Sequence, residues 1–250
     1  MKLFGLIGYP LSHSFSKKYF TEKFKNENIK DAYYELFEIE KIEYLKDVLI
    51  KNPQIKGLNV TIPHKQSVIP YLDSLDVSAK KVKAVNVIKI LSDGKKVGFN
   101  SDYYGFKVSL ENWLKVLERD ISSIKAIVLG TGGASKAVQA ALIDLNISFI
   151  LVSRVKTNES FTYEELNAKI LNENHLVINT SPVGMHPKTE EYPLLNYNFI
   201  NNDHLLYDLV YNPPETSLMK LGKAKGAQVK NGLEMLHAQA EKAWEIWNID

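Results

Sequence analysis

The stretch LNVTIPHK ends an apolar, strand-like run with Asn59 and Thr61 and turns through a proline to Lys65. Further on, GFNSDYYG carries Asn100 and Asp102, and Asn86 stands in the strand-like run between them. An ammonium and a carboxylate brought into one cleft can handle a proton, and neighbouring amides can orient an oxygen-rich substrate because each both donates and accepts. If a hydroxyl is to become a ketone, a hydride must leave as well, and a nicotinamide supplies that chemistry. AIVLGTGGASKAVQAAL fits this need: Gly130, Gly132 and Gly133 fall between a strand and a helix, where backbone N–H groups can meet a pyrophosphate. Ser135 replaces the third glycine of the strict G-x-G-x-x-G pattern.

The strand after that turn usually ends, in NAD-preferring domains, with a carboxylate that holds the ribose hydroxyls. Here it ends Ser153-Arg154-Val155-Lys156-Thr157, with no acid before Glu159. Hydroxyl, guanidinium and ammonium groups suit a 2′-phosphate, which favours NADP. Arg154 is one of only two arginines, beside Arg119. A third cluster, GYPLSHSFSKKYF, gathers Ser14, Ser16 and His13 at a helix start. These hydroxyls can cap the helix or form a cup for a small polar molecule.

Those residues need a scaffold. Across 250 residues, 31 basic against 29 acidic side chains give a formal net charge of +2, too even for a nucleic-acid footprint. A small-molecule partner is expected, with neither nucleic acid nor membrane. No apolar stretch has the length of a membrane span. The absence of cysteine excludes disulfides and thiolate ligands and fits a reducing, cytoplasmic setting; no metal is expected.

The first hundred residues alternate strand-like and helix-period runs in βαβαβ order, then reach two alternating runs around Asp93-Gly94, a hairpin signal that predicts an antiparallel edge. A helix from about Tyr104 to Leu117 leads into a second series of βα units, and the amphipathic LEMLHAQAEKAWEIWN closes the chain. The expected fold class is two-domain α/β. Residues 1–102 with the C-terminal helix 233–250 form a mostly parallel substrate-binding and catalytic domain. Residues 103–232 form a Rossmann-like NADP-binding domain, with a cleft between the two and a hinge at Gly105.

The ordered set SHSFS, NVTIPHK, AVNV, GFNSDYYG, LGTGGAS, NTSPVGM, DLVYNPPET and NGLEMLHAQA resembles the shikimate dehydrogenase family, from about residue 5 to about residue 245. The resemblance implies NADPH-dependent reduction of 3-dehydroshikimate to shikimate, on the route to aromatic amino acids, by a monomer or homodimer. It implies Lys65 and Asp102 as the catalytic pair, with substrate on Ser14, Ser16, Asn59, Thr61, Asn86, Tyr211 and Gln239. On the cofactor side it implies Gly130, Gly132, Gly133, Ala134 and Ser135 at the pyrophosphate, Ser153 and Arg154 at the adenosine phosphate, and Thr180, Val210 and Gly232 at the nicotinamide end. With no arginine in the first hundred residues to clamp the shikimate carboxylate, the Ser14 and Ser16 hydroxyls take that role. His13 matches the family pattern as a loop-ordering residue. Lys17, Val87, Ser101 and Ser153-Arg154-Val155 depart from the family's usual residues, and the last bears on the strength of NADP preference. A quinate/shikimate dehydrogenase of broader substrate and cofactor range and a catalytically silent binding relative are compatible with the same residues.

Overall fold

The run KLFGLIG forms β1 (Lys2–Gly8), buried from Leu3 onward, as befits a strand with parallel neighbours on both sides. The computed structural model describes residues 1–11 and 14–249. They fall into two units, Met1–Ser101 with the chain from Ala240 onward, and Asp102–Gln239. Asp102 and residues 233–239 are therefore in the second unit.

In the first unit, β1 is followed by α1 (Phe15–Asn26), β2 (Ala32–Glu38), α2 (Leu45–Lys51), β3 (Ile55–Val60), β4 (Ser74–Leu75), α3 (Val77–Val82), β5 (Val87–Ile90) and β6 (Lys96–Phe99). Their sheet runs β2-β1-β3-β5-β6-β4. β1 pairs in parallel with β2 and β3, while β5 is antiparallel to both β3 and β6. The β5–β6 hairpin closes at Gly94, whose φ of 84° is open to glycine at no steric cost. This hairpin is not the sheet edge that the sequence predicts. The two-residue β4 pairs in parallel along the outside of β6.

Apolar helix faces cover both sides of this sheet. Phe20 and Phe24 of α1 pack with Phe4, Tyr34 and Val87, together with Ala243 and Trp247 from the end of the last helix. Leu45 and Ala79, from α2 and α3, cover Leu3, Ile7, Leu58 and Ile88 on the other face. Trp247 stacks on Phe4 with ring centroids 4.8 Å apart and donates Nε1–H to the Ile88 carbonyl at 3.0 Å. A Cβ at Gly57 would lie 2.2 Å from that indole, so only glycine fits this strand position. Truncating Trp247 to alanine is expected to cost about 3–5 kcal/mol.

The second unit comprises α4 (Ser101–Val116, entering from the first unit), β7 (Lys125–Leu129), α5 (Gly133–Asp144), β8 (Ser148–Val152), β9 (Ser160–Phe161), α6 (Ala168–Glu173), β10 (Leu176–Asn179), β11 (Leu205–Asp208), α7 (Ser217–Ala224), β12 (Gln228–Lys230) and the start of α8 (Leu233–Asn248). All pairings in its sheet, β12-β11-β10-β7-β8-β9, are parallel. Strand order reverses at β7, and open α/β sheets bind ligands beyond the strand ends at such a switch point. Phe106, Leu110 and Trp113 of α4 and Val138 and Leu142 of α5 pack on one face. Leu171 of α6 and Leu218 of α7 pack on the other.

Gly105 does not sit in a loop. It lies inside α4, where a Cβ would come within 2.6 Å of the Met235 carbonyl oxygen, so it allows two helices of the second unit to cross closely. This glycine therefore carries a packing contact between α4 and α8.

Candidate active site

Polar side chains at the ends of β1–β5 can be buried only if they are paired. Tyr34, 3% exposed on β2, donates its hydroxyl to Asn59 Oδ1 at 2.7 Å. Asn59 Nδ2 donates to the Asn86 carbonyl at 3.3 Å. Asn86 donates Nδ2 to Ser101 Oγ at 3.0 Å and accepts the Ser101 backbone N–H on Oδ1 at 2.7 Å. Ser16 is bonded to Tyr34, and since the phenol proton goes to Asn59, Ser16 is the donor in that bond. Burial raises the Tyr34 phenol well above its ordinary range, the Ser16 bond opposing, so Tyr34 remains a neutral donor. Each amide therefore has its oxygen and nitrogen fixed by a partner, which sets the direction in which each can meet a ligand.

Ser14 occupies the N-cap position of α1 in extended backbone, yet its hydroxyl makes no capping bond. The capping role that the sequence allows is thus not used at Ser14. Its Oγ is screened from solvent and has no hydrogen-bond partner. A buried hydroxyl in that condition is a ready donor for a carboxylate oxygen. Ser16 differs, because its proton is committed to Tyr34. His13 lies outside the described residues.

Thr61 follows β3 with its N–H on the Ile7 carbonyl at 2.9 Å, and the Lys65 carbonyl accepts from Val85 N at 2.7 Å. Lys65 is thereby tied, through its backbone, next to Asn86. His64 between them is a core residue, with Nε2 2.7 Å from the Ile39 carbonyl. Asp102, buried, stands in the first turn of α4, which begins three residues before the predicted start. Half-buried Tyr211 follows β11, and its phenol is raised by burial; half-buried Gln239 lies on α8.

In the second unit the predicted cofactor residues collect along the edge formed by the carboxyl ends of the strands. Gly130 follows β7 with φ 108°, and a Cβ there would stand 2.8 Å from Thr180 Oγ1. Thr180, just past β10, donates its hydroxyl to the Leu129 carbonyl at 2.7 Å. Val210, past β11, accepts the Gly232 N–H on its carbonyl at 3.2 Å. A side chain at Gly232 would collide with the Leu209 carbonyl oxygen, 2.0 Å from an added Cβ. α5 begins at Gly133 with Gly132 as a cap that offers no side-chain bond, so its first N–H groups stay available. A Cβ at Gly132 or Gly133 would meet nothing within 4 Å, which leaves room for a pyrophosphate against those amides. The residues present thus fit a dinucleotide.

Not every predicted residue faces that edge with its side chain. Ser135 is buried and accepts Gln139 Nε2 on its own helix at 2.9 Å, so only its backbone and that of Ala134 serve the turn. Ser153 Oγ accepts the Val155 N–H at 3.3 Å, and Arg154 is exposed. Beside them an open cavity of about 470 Å³ is lined by Thr131, Lys136, Asn158 and Glu159, placing one basic and one acidic group at its wall.

Residues 6–88 match the model of the shikimate dehydrogenase substrate binding domain. The NADP(+)-dependent shikimate dehydrogenase of Clostridium beijerinckii is 46% identical over 99% of this chain and 92% of its own length. The chain belongs to the shikimate dehydrogenase family. Aquifex aeolicus shikimate dehydrogenase superposes with a TM-score of 0.87 at 34% identity, covering 99% of this chain and 92% of that one. Shikimate 5-dehydrogenase of Thermus thermophilus, solved with NADP(H) and shikimate, gives a TM-score of 0.83 at 28% identity over 99% and 94% of the two chains.

Within the family fold, two polar residues escaped the sequence reading. Tyr34 is one of two adjacent tyrosines in AYYELFEI, a pattern that does not say which of them turns inward. Asp208 is fully buried at the end of β11, where burial pushes its carboxyl up to about 6 while bonds from Thr216, Val210 and Asn179 oppose that shift. The one signal for it was a lone acid ending the otherwise apolar run HLLYD.

Proposed function

We propose that this chain is an NADP-dependent shikimate dehydrogenase, reducing 3-dehydroshikimate reversibly to shikimate. The observation that carries this reading is the buried Tyr34–Asn59–Asn86–Ser101 chain beside Ser14, a hydroxyl without a partner. Oriented amides and a donor hydroxyl in one unit match an oxygen-rich ring acid. The open glycine turn in the other unit matches a dinucleotide.

In this reading Ser14 donates to the substrate carboxylate with Tyr211 as a further donor, and Ser16 joins them by turning its proton from Tyr34 to the carboxylate when substrate binds. Asn59, Thr61, Asn86 and Gln239 orient the ring hydroxyls. Lys65 and Asp102 carry the proton that the carbonyl oxygen gains on reduction, and the same pair removes it in the reverse direction. When bound, NADPH supplies the hydride to the carbonyl carbon. Its pyrophosphate is held by the amides at Gly132–Ser135, and its 2′-phosphate by Ser153 and Arg154. The lack of cysteine fits a cytoplasmic enzyme.

The test is absorbance of the reduced cofactor when protein, shikimate and either NADP or NAD are mixed. Turnover with shikimate and NADP is expected to exceed that with quinate or with NAD. No turnover with either cofactor would overturn the reading.

A further inference from the structure

We infer that Asp208 is a positioning residue for the nicotinamide end of the cofactor site; this rests on the cofactor reading proposed above. Asp208 touches none of the reacting groups named there. It is fully buried at the end of β11 and accepts three hydrogen bonds. Asn179 Nδ2 donates to its Oδ1 at 2.9 Å and the Val210 backbone N–H donates to the same oxygen at 3.1 Å. Thr216 Oγ1 donates to Oδ2 at 2.6 Å.

Each donor belongs to a different piece of the site wall. Because Asn179 must point its amide nitrogen at the carboxylate, its Oδ1 faces the next loop and accepts both the Ser181 N–H at 3.1 Å and the Ser181 hydroxyl at 2.7 Å. Thr180 lies between those residues, held on the Leu129 carbonyl next to Gly130. Val210, fixed by the second bond, takes the Gly232 N–H on its own carbonyl. Thr216 spends its proton on Asp208 and so keeps a lone pair for Met219 N at 3.4 Å, which caps α7. One carboxylate therefore sets the loops after β10 and β11 together, and through them Thr180, Val210 and Gly232.

An asparagine at this position has one oxygen and a donor NH2 in place of the other, so at least one of the three donors loses its acceptor. The adenosine end, at Ser153 and Arg154, has no bond in this network. Asp208→Asn should therefore weaken binding of whole NADPH while sparing its adenine half.

The experiment measures dissociation constants of NADPH and of 2′,5′-ADP for wild type, Asp208→Asn and Asp208→Ala by titration calorimetry. Asp208→Asn is expected to weaken NADPH by about tenfold, the loss of one charge-assisted bond's worth of order, with 2′,5′-ADP within about twofold of wild type. Asp208→Ala should widen that gap if it folds; if it does not, Asp208→Asn decides alone. Equal weakening of both ligands would mean general damage to the unit, and no change in either would mean no positioning role; both outcomes overturn the inference. Failure of wild type to bind either ligand would instead remove the cofactor reading on which it stands.

Discussion

The hydroxyl of Tyr34 meets Oδ1 of Asn59 at 2.7 Å, deep in the first unit and 25 residues apart in sequence. Replacing Tyr34 by phenylalanine keeps the ring packed on Phe20 but leaves Asn59 Oδ1 and the Ser16 hydroxyl without their partner. A buried acceptor left unpaired costs about 1–3 kcal/mol. Thermal unfolding of Tyr34→Phe should register that loss. Steady-state assays should show kcat/KM for shikimate falling about tenfold, since Asn59 is then held only by its Nδ2 bond to the Asn86 carbonyl. An unaltered kcat/KM would remove Tyr34 from the substrate network.

Ser14 presents the opposite balance. Its hydroxyl is buried without a partner, so Ser14→Ala removes an unsatisfied polar atom and should leave the free protein as stable or more stable by about 1 kcal/mol. The same change removes a carboxylate donor, and KM for shikimate should rise about tenfold or more. Gain of stability together with loss of affinity marks a site residue rather than a helix cap. Loss of stability with unchanged KM would restore the capping role.

How much of this was legible beforehand depends on the range of the forces involved. The strands around KLFGLIG and AIVLG, the Asp93-Gly94 hairpin and the glycine turn before α5 are written in local pattern, and they appear where the sequence puts them. The start of α4 is displaced because tertiary bonds decide it: Asn100 donates to the Ala84 carbonyl at 3.0 Å and Ser101 bonds to Asn86, so the helix begins at Ser101. The crossing at Gly105 was hidden for a related reason, since a glycine in a helix can mark a close approach or a bend and the pattern does not say which. Tyr34 and Asp208 act through partners that no local pattern names. The candidate site's residue types were therefore readable, but the bonds that orient them were not.

The glycine turn gives a cleaner separation of folding from binding. A Cβ at Gly133 meets no atom within 4 Å, and its φ is not in the left-handed region. Gly133→Ala should therefore fold normally, with helix propensity favouring alanine by up to about 1 kcal/mol. The added methyl occupies the space above the α5 amides, so NADPH affinity should fall about tenfold or more in fluorescence titration. Gly130→Ala is a different case, because φ 108° and the 2.8 Å approach to Thr180 Oγ1 make it strained before any ligand arrives. If Gly133→Ala bound NADPH normally, the pyrophosphate would have to lie elsewhere.

For the proton, Lys65→Ala should reduce kcat by about a thousandfold, the scale of a lost acid/base group. Its carbonyl, not its side chain, makes the bond to Val85, so the backbone anchor should survive the change. Shikimate binding measured by calorimetry should persist within about tenfold, which separates a chemical role from a binding one. A kcat within about threefold of wild type would exclude Lys65 from the chemistry.

Asp208 also gives the protein a pH signature of its own. Its carboxyl is raised from 3.8 to about 6 by burial, against the opposing bonds of Thr216, Val210 and Asn179. Between those two values the folded chain holds a proton that the unfolded chain has released, so by linkage its contribution to stability falls as pH rises through that window. Below the window both states are protonated, and above it both are ionised; in either region the contribution is flat. A shift of about two units corresponds to about 3 kcal/mol across the window. Other carboxylates titrate there too, so the quantity to measure is the difference in unfolding free energy between wild type and Asp208→Asn, from urea melts between pH 4 and pH 8. Wild type should lose ground to the variant up to about pH 6 and then keep a constant offset. A difference that instead grows in wild type's favour over the same range would mean that the hydrogen bonds outweigh burial, and that the carboxyl is held below, not above, its ordinary value.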